Sequence, residues 1–131
     1  MSASKQNNNY DLYILSLAGK PPIRLTDTPS IDETAPAWSP DGQTIAFAAK
    51  SAGGGQIWTI NADGQARTRL THSNAIDESP AWLPDGKRIA FDSNRERGYK
   101  IWVMNVDGTG LQRLTDDPNS NDGDLAWWPA R

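Results

Sequence analysis

Trp38, Trp82 and Trp127 stand 44 and 45 residues apart, Leu25, Leu70 and Leu114 stand 45 and 44 apart, and Tyr13, Trp58 and Trp102 keep the same interval. A period of this size means a repeat architecture, in which each unit is one supersecondary element that needs neighbours to cover its apolar faces. The wording between the landmarks recurs as well. Pro36-Ala-Trp-Ser-Pro-Asp-Gly42 returns as Pro80-Ala-Trp-Leu-Pro-Asp-Gly86, and Ile45-Ala-Phe47 as Ile89-Ala-Phe91. Ile57-Trp-Thr-Ile-Asn-Ala-Asp-Gly64 returns as Ile101-Trp-Val-Met-Asn-Val-Asp-Gly108, with Leu12 to Gly19 as a looser copy, and Arg24-Leu-Thr26, Arg69-Leu-Thr71 and Arg113-Leu-Thr115 close the units.

Each unit reads as four short strands, a to d, because brief runs rich in Ile, Trp, Phe and Val are separated by turn residues at short intervals. Pro40-Asp-Gly42 and Pro84-Asp-Gly86 suit a tight a-to-b hairpin, with Pro presetting φ and Gly tolerating positive φ. Asp63-Gly64 and Asp107-Gly108 do the same between c and d. No segment has a helical period, so the expected class is all-β. A four-stranded sheet repeating about every 44 residues predicts a β-propeller built of blades, and the alternatives are a β-sandwich or an open stack of sheets.

The run Pro-Ala-Trp-Ser-Pro-Asp-Gly, then Ile-Ala-Phe, then Ile-Trp-x-x-Asn-x-Asp-Gly, then Arg-Leu-Thr resembles the repeat of TolB-type six-bladed propellers, a relative of the WD-repeat blade. The resemblance covers about Tyr10 to Pro129. It implies blade type more than activity, since such repeats serve as protein-binding and peptide-binding scaffolds and as gates of peptidases. The family is often periplasmic. The chain departs from the pattern where Leu83 and Trp128 replace the Ser39 of the first full unit.

The chain's 131 residues suffice for one modest domain. With 13 basic and 16 acidic side chains, the net charge of -3 offers no broad positive surface, which argues against nucleic acid as a partner. Cys is absent, which removes disulfides, thiol nucleophiles and thiolate metal sites. No run reaches the roughly 20 apolar residues of a membrane helix, and Met1 to Asn9 is polar, without the apolar stretch of a secretory signal. The expectation is a soluble chain with no membrane span and no address of its own.

In strand order the chain gives a partial unit over residues 1–26, with (b), c and d strands, full blades at 35–71 and 79–115, and a lone strand a within 122–131. The distance from the strand-a Trp to the strand-c apolar residue is 19 in both full units and 16 across a join of two chains, so Met1 to Lys5 could act as a shortened b strand. Three blades would each have to span about 120° to close, whereas propellers close with roughly 4 to 8. Two chains supply the six blades that the resemblance implies. The expectation is therefore a homodimer that exchanges strands at two interrupted blades, with Met1, Ser2, Ala3, Ser4, Leu125, Trp127 and Trp128 at the closure. An alternative is an accessory or gating propeller excised from a larger peptidase or TolB-like periplasmic protein.

Nothing in the sequence assembles a catalytic set, and a non-catalytic scaffold is expected. The one His, His72, stands where Asp27 and Asp116 stand in the other units and reads as a loop residue; no Gly-x-Ser-x-Gly elbow or paired-His spacing occurs. The acids Asp32, Glu33, Asp77, Glu78, Asp122 and Asp124 recur in the d-to-a connections, which in the resembled family lie at the mouth of the central channel. No cofactor is required, but such a ring would attract calcium, another hard cation or a cationic peptide. The alternative is that these acids cap turns or pair with nearby basic groups. The b-to-c connections, Lys5–Asp11, Lys50–Gln56 and Asn94–Lys100, open on the same face and differ most between copies, which points to a face and not to a partner; a protein, peptide or cation ligand is expected at the channel mouth. Trp38, Trp58, Trp82, Trp102, Phe47 and Phe91 are expected to fill the wedges between blades.

Overall fold

A computed structural model describes residues 2–6 and 9–115, with side chains from Asn9 onward. The expected closure residues Met1, Leu125, Trp127 and Trp128, and the acids Asp122 and Asp124, lie outside the described residues. The described chain contains eleven strands and no helix: β1 (Ser2–Gln6), β2 (Asn9–Ile14), β3 (Ile23–Arg24), β4 (Asp32–Trp38), β5 (Thr44–Ser51), β6 (Gly54–Asn61), β7 (Thr68–Arg69), β8 (Asp77–Trp82), β9 (Arg88–Ser93), β10 (Lys100–Asn105) and β11 (Gln112–Arg113). They form three antiparallel sheets, β1-β2-β3, β4-β5-β6-β7 and β8-β9-β10-β11, which we call blades 1 to 3. Strand a starts earlier than the repeat wording suggests, at Asp32 and Asp77.

The turn residues perform the jobs their chemistry predicts. In the a-to-b hairpins Gly42 and Gly86 adopt φ of 70° and 66°, and each amide closes a turn by donating to the carbonyl of Ser39 or Leu83. The neighbouring Asp side chain captures the turn's free amides: Asp41 accepts from Gln43 N at 3.0 Å, and Asp85 from Lys87 N at 2.8 Å. In the c-to-d hairpins Asp63 and Asp107 likewise accept from Gln65 N and Thr109 N, both at 2.9 Å.

The Arg-Leu-Thr signature has a structural explanation in its last two residues. The Leu amide donates to the strand-c carbonyl, Leu12 O, Ile57 O or Ile101 O, at 2.8 Å in all three units. The Thr hydroxyl then accepts from the amide of that same strand-c residue at 2.9, 2.9 and 3.1 Å. A two-residue strand d is thus stitched along a length its backbone ladder alone does not reach.

One feature is not visible in the repeat wording, and another follows the expectation of a shortened b strand at the start of the chain. Strand a carries a bulge between Thr34 and Ala37 and between Glu78 and Ala81, with Ala35 and Ser79 at φ of 51° and 53°. The following Pro36 and Pro80 have no amide to donate, which suits a position where the ladder is interrupted. In addition, Ser2–Gln6 takes the b position of blade 1: Gln6 pairs Asn9 just as Ser51 pairs Gly54, and Ala3 pairs Leu12 just as Ala48 pairs Ile57.

Apolar faces meet between blades. Blade 2 turns Ala46, Ala48 and Ile57 toward Ile89, Phe91 and Met104 of blade 3, with Trp82 and Trp102 at the margin. Its other face packs Ile45, Phe47, Ala49 and Ile60 on Leu12 and Leu25 of blade 1. The indole of Trp82 donates to Ala37 O at 3.0 Å and ties strand a of blade 3 to strand a of blade 2. Gly108 lies so close to blade 2 that a Cβ would meet Leu70 O at 2.9 Å. Phe47 and Phe91 are fully buried and Trp58, Trp82 and Trp102 partly so, but Trp38 is 38% exposed, and among the described residues no strand a stands beside it on the blade 1 side.

Candidate functional site

The d-to-a and b-to-c connections gather at one end of the blades, where Glu33, Asp32, Asp77 and Glu78 begin the inner strands. The 44-residue step that sets Trp38 on Trp82 also sets Glu33 on Asp77, and the strand pairing agrees, so Asp32-Glu33 is not the copy of Asp77-Glu78. Glu33 and Asp77 are both fully buried. A buried carboxylate is costly unless a cation meets it, and each has one. Arg67 Nη1 lies 2.6 Å from Glu33 Oε1, and Arg95 Nη2 lies 3.0 Å from both Asp77 oxygens.

The two arginines come from unrelated loops, Arg67 from the c-to-d connection of blade 2 and Arg95 from the b-to-c connection of blade 3. Their guanidiniums nonetheless occupy the same place: Arg67 sits 5.4 Å from the Phe47 ring and 4.9 Å from Trp58, and Arg95 sits 5.4 Å from Phe91 and 4.9 Å from Trp102. A cation held over two aromatic faces and against a buried carboxylate is a structural post. Sequence spacing could not reveal it, because the arginines do not repeat.

The other two described acids are also engaged. Glu78 pairs with Lys50, and Asp32 accepts from Tyr10 N at 2.9 Å. Burial and the nearby Glu78 push the Tyr99 hydroxyl above its ordinary pKa. Among the described residues the four acids are therefore matched one by one to basic or amide partners, as in the alternative reading of the sequence. No group of three or more His, Asp or Glu able to hold a metal ion occurs among these residues. His72 is exposed in its loop.

A second set of side chains lies at the outer rim. Arg24, Arg69 and Arg113 share one repeat position. Arg24 Nη2 lies 2.7 Å from both Asp11 Oδ2 and Asp27 Oδ1, and its hydrogen bond with Asp11 is the main reason its pKa is raised. Arg113 pairs with Glu96.

The third feature is the pair of end faces. On blade 1, Leu15 is 48% exposed, whereas its repeat equivalent Ile60 is 2% exposed. On blade 3, Leu114 is 46% exposed, whereas Leu70 is 7% exposed. Beside Leu114, Leu83, Ala90 and Val103 form a small buried cluster with Ile101, so the Leu that replaces Ser39 of the other full unit is itself buried.

Three successive antiparallel sheets, two of four strands and one of three, pack face to face with a signature strand d, and a family model described as the TolB beta propeller domain matches residues 33–126. The chain belongs to the TolB β-propeller family. It is similar to the structure of a TolB from Agrobacterium tumefaciens, with 29% identity and a TM-score of 0.79 over 88% of this chain and 41% of that one. TolB from Acinetobacter baumannii matches with 25% identity and a TM-score of 0.77, over 87% of this chain and 28% of that one. A chain of a nidogen/laminin complex shares the fold, with 19% identity, a TM-score of 0.69 and coverage of 82% and 41%. The TolB-family chain thus spans well under half the length of these structures. No helix among its described residues is long and apolar enough to cross a membrane.

Proposed function

We propose that this TolB-family chain is a non-catalytic scaffold that completes its ring with a second copy and presents its b-to-c loops to a protein or peptide ligand. The observation that carries the reading is the exposure of repeat positions at the two ends: Leu15 and Leu114 are open where Ile60 and Leu70 are closed. Leu114 holds the repeat position with which blade 2 grips blade 3, and Leu15 the position with which blade 2 grips blade 1. The two ends are therefore opposite halves of one seam, and blade 3 of one copy is shaped to seat on blade 1 of another.

The loop proposal rests on the difference among the three b-to-c connections on one face, over a frame whose turns scarcely vary. Light scattering at micromolar concentration is expected to give twice the chain's 14.3 kDa, and Leu114→Asp is expected to give a monomer with unchanged β-sheet circular dichroism. A stable wild-type monomer would overturn self-completion. That outcome would favour the second reading, supported by coverage of only 41% and 28% of the TolB structures, in which further blades of one longer polypeptide cover the same faces.

A further inference from the structure

Arg69 is the exception among the three rim arginines. The repeat that places Asp11 and Asp27 around Arg24 places Gln56 and His72 around Arg69, so both carboxylates are lost while the arginine is kept. Arg69 donates from Nε to Thr71 O at 2.7 Å, and no carboxylate among the described residues lies within ion-pair distance of it. Gln56 does not take the acid's place, since its amide is turned away and donates to Gly55 O, Ser73 O and Ala75 O at 2.6, 2.9 and 3.1 Å. It holds the 73–75 segment as one wall of a cleft.

That cleft encloses about 330 Å³, within the size range of small-ligand sites. Ala49, Trp58 and Arg69 line it from one face of blade 2, as their cross-strand pairing requires. Ile31 extends the apolar side, and Ser73 and Asn74 supply polar groups opposite. Arg69 is the one charged residue in the lining. The other nearby guanidinium, Arg67, is already neutralised by Glu33. A planar donor fork beside an apolar wall, with no acid of its own, selects a planar anion with a carbon stem.

We infer that this cleft binds a carboxylate, with Arg69 as its anchor, the ligand supplying the acidic group that Asp11 and Asp27 supply to Arg24. The occupant best matched to the apolar wall is an acidic residue of a polypeptide segment. The cleft lies within one chain, so it is independent of ring closure.

The test is calorimetric titration at low salt with the capped peptide Ac-Ala-Asp-Ala-NH2, its Asn twin and acetate. The Asp peptide is expected to bind at least about tenfold more tightly than the Asn peptide, as a charge-assisted bidentate contact should. Arg69→Gln removes this preference, and so does His72→Asp, which returns to Arg69 a partner of the kind Arg24 has. Acetate binding as tightly as the Asp peptide would assign the site to small free carboxylates; much weaker acetate binding assigns it to polypeptide. Equal binding of the Asp and Asn peptides, or a preference that survives Arg69→Gln, overturns the proposal.

Discussion

The seam between blades 2 and 3 and the far side of blade 3 place one repeat position, Leu70 and Leu114, in different surroundings. Leu70 and Leu114 have the same neighbours in sequence, the same amide bond to strand c and the same Thr stitch behind them, yet one is 7% and the other 46% exposed. Burial here is a property of the position in the array, not of the residue. Local wording fixes a blade, and only the array decides which blade faces become core.

The largest effect that can probe this contrast comes from shortening the two leucines. Leu70→Ala is expected to cost about 2–5 kcal/mol, the range for a buried Leu whose site cannot collapse. Leu114→Ala, measured by urea denaturation at concentrations too low for association, should cost under about 1 kcal/mol. Equal costs would mean that the outward face is already covered within one chain. At higher concentration Leu114→Ala should act on association instead.

Next in size are the glycines of the c-to-d turns. Gly64 and Gly108 share φ near +84° and +85°, a conformation that costs an L-residue about 1–2 kcal/mol. A Cβ at Gly64 meets nothing nearer than Leu25 Cδ1 at 3.7 Å, whereas at Gly108 it meets Leu70 O at 2.9 Å. Gly108→Ala should therefore lower stability more than Gly64→Ala, the excess reporting how tightly backbone rather than side chain closes the blade 2–3 seam. Identical losses would show that the seam opens at no cost.

The period, the strands and the turn chemistry were legible because they depend on residues within one unit: Asp-Gly pairs, alternating apolar runs and Arg-Leu-Thr. The bulges at Ala35 and Ser79 were not, since neither Ala nor Ser announces a positive φ and only the following Pro hints at it. For the acids, the reading that they pair with nearby basic groups was open to sequence, but which groups was not. The 44-residue step from Trp38 to Trp82 already sets Glu33 on Asp77, but Arg67 and Arg95 reach them from loops with no common spacing. Arg69 could have been found from sequence, by asking which repeat keeps its arginine while losing both acids.

The smallest effect concerns the turns, which are alike whether or not a blade face is covered. Ser39 Oγ and then the Gln43 amide hold Asp41 below the ordinary carboxylate value of 3.8, the Lys87 amide and then the Arg88 guanidinium do so for Asp85, and the Thr109 hydroxyl and then its amide do so for Asp107. The folded form takes up these protons less readily than the unfolded form, so their contribution is complete above 3.8 and is lost as pH falls below it through each lowered pKa. Melting temperature should decline in that acidic window, and Asp41→Asn and Asp85→Asn should each make the decline shallower by similar amounts. A much larger change for one of them would show that the turns sense the seam after all.

In the closure proposed above, the two end surfaces are unlike halves of a single joint, so copies would add head to tail and nothing in the joint itself would count to two. The splay between neighbouring sheets alone would make the circle meet its own beginning. A substitution that altered that splay by a few degrees per sheet would turn a sealed ring into a spiral thread that grows without end.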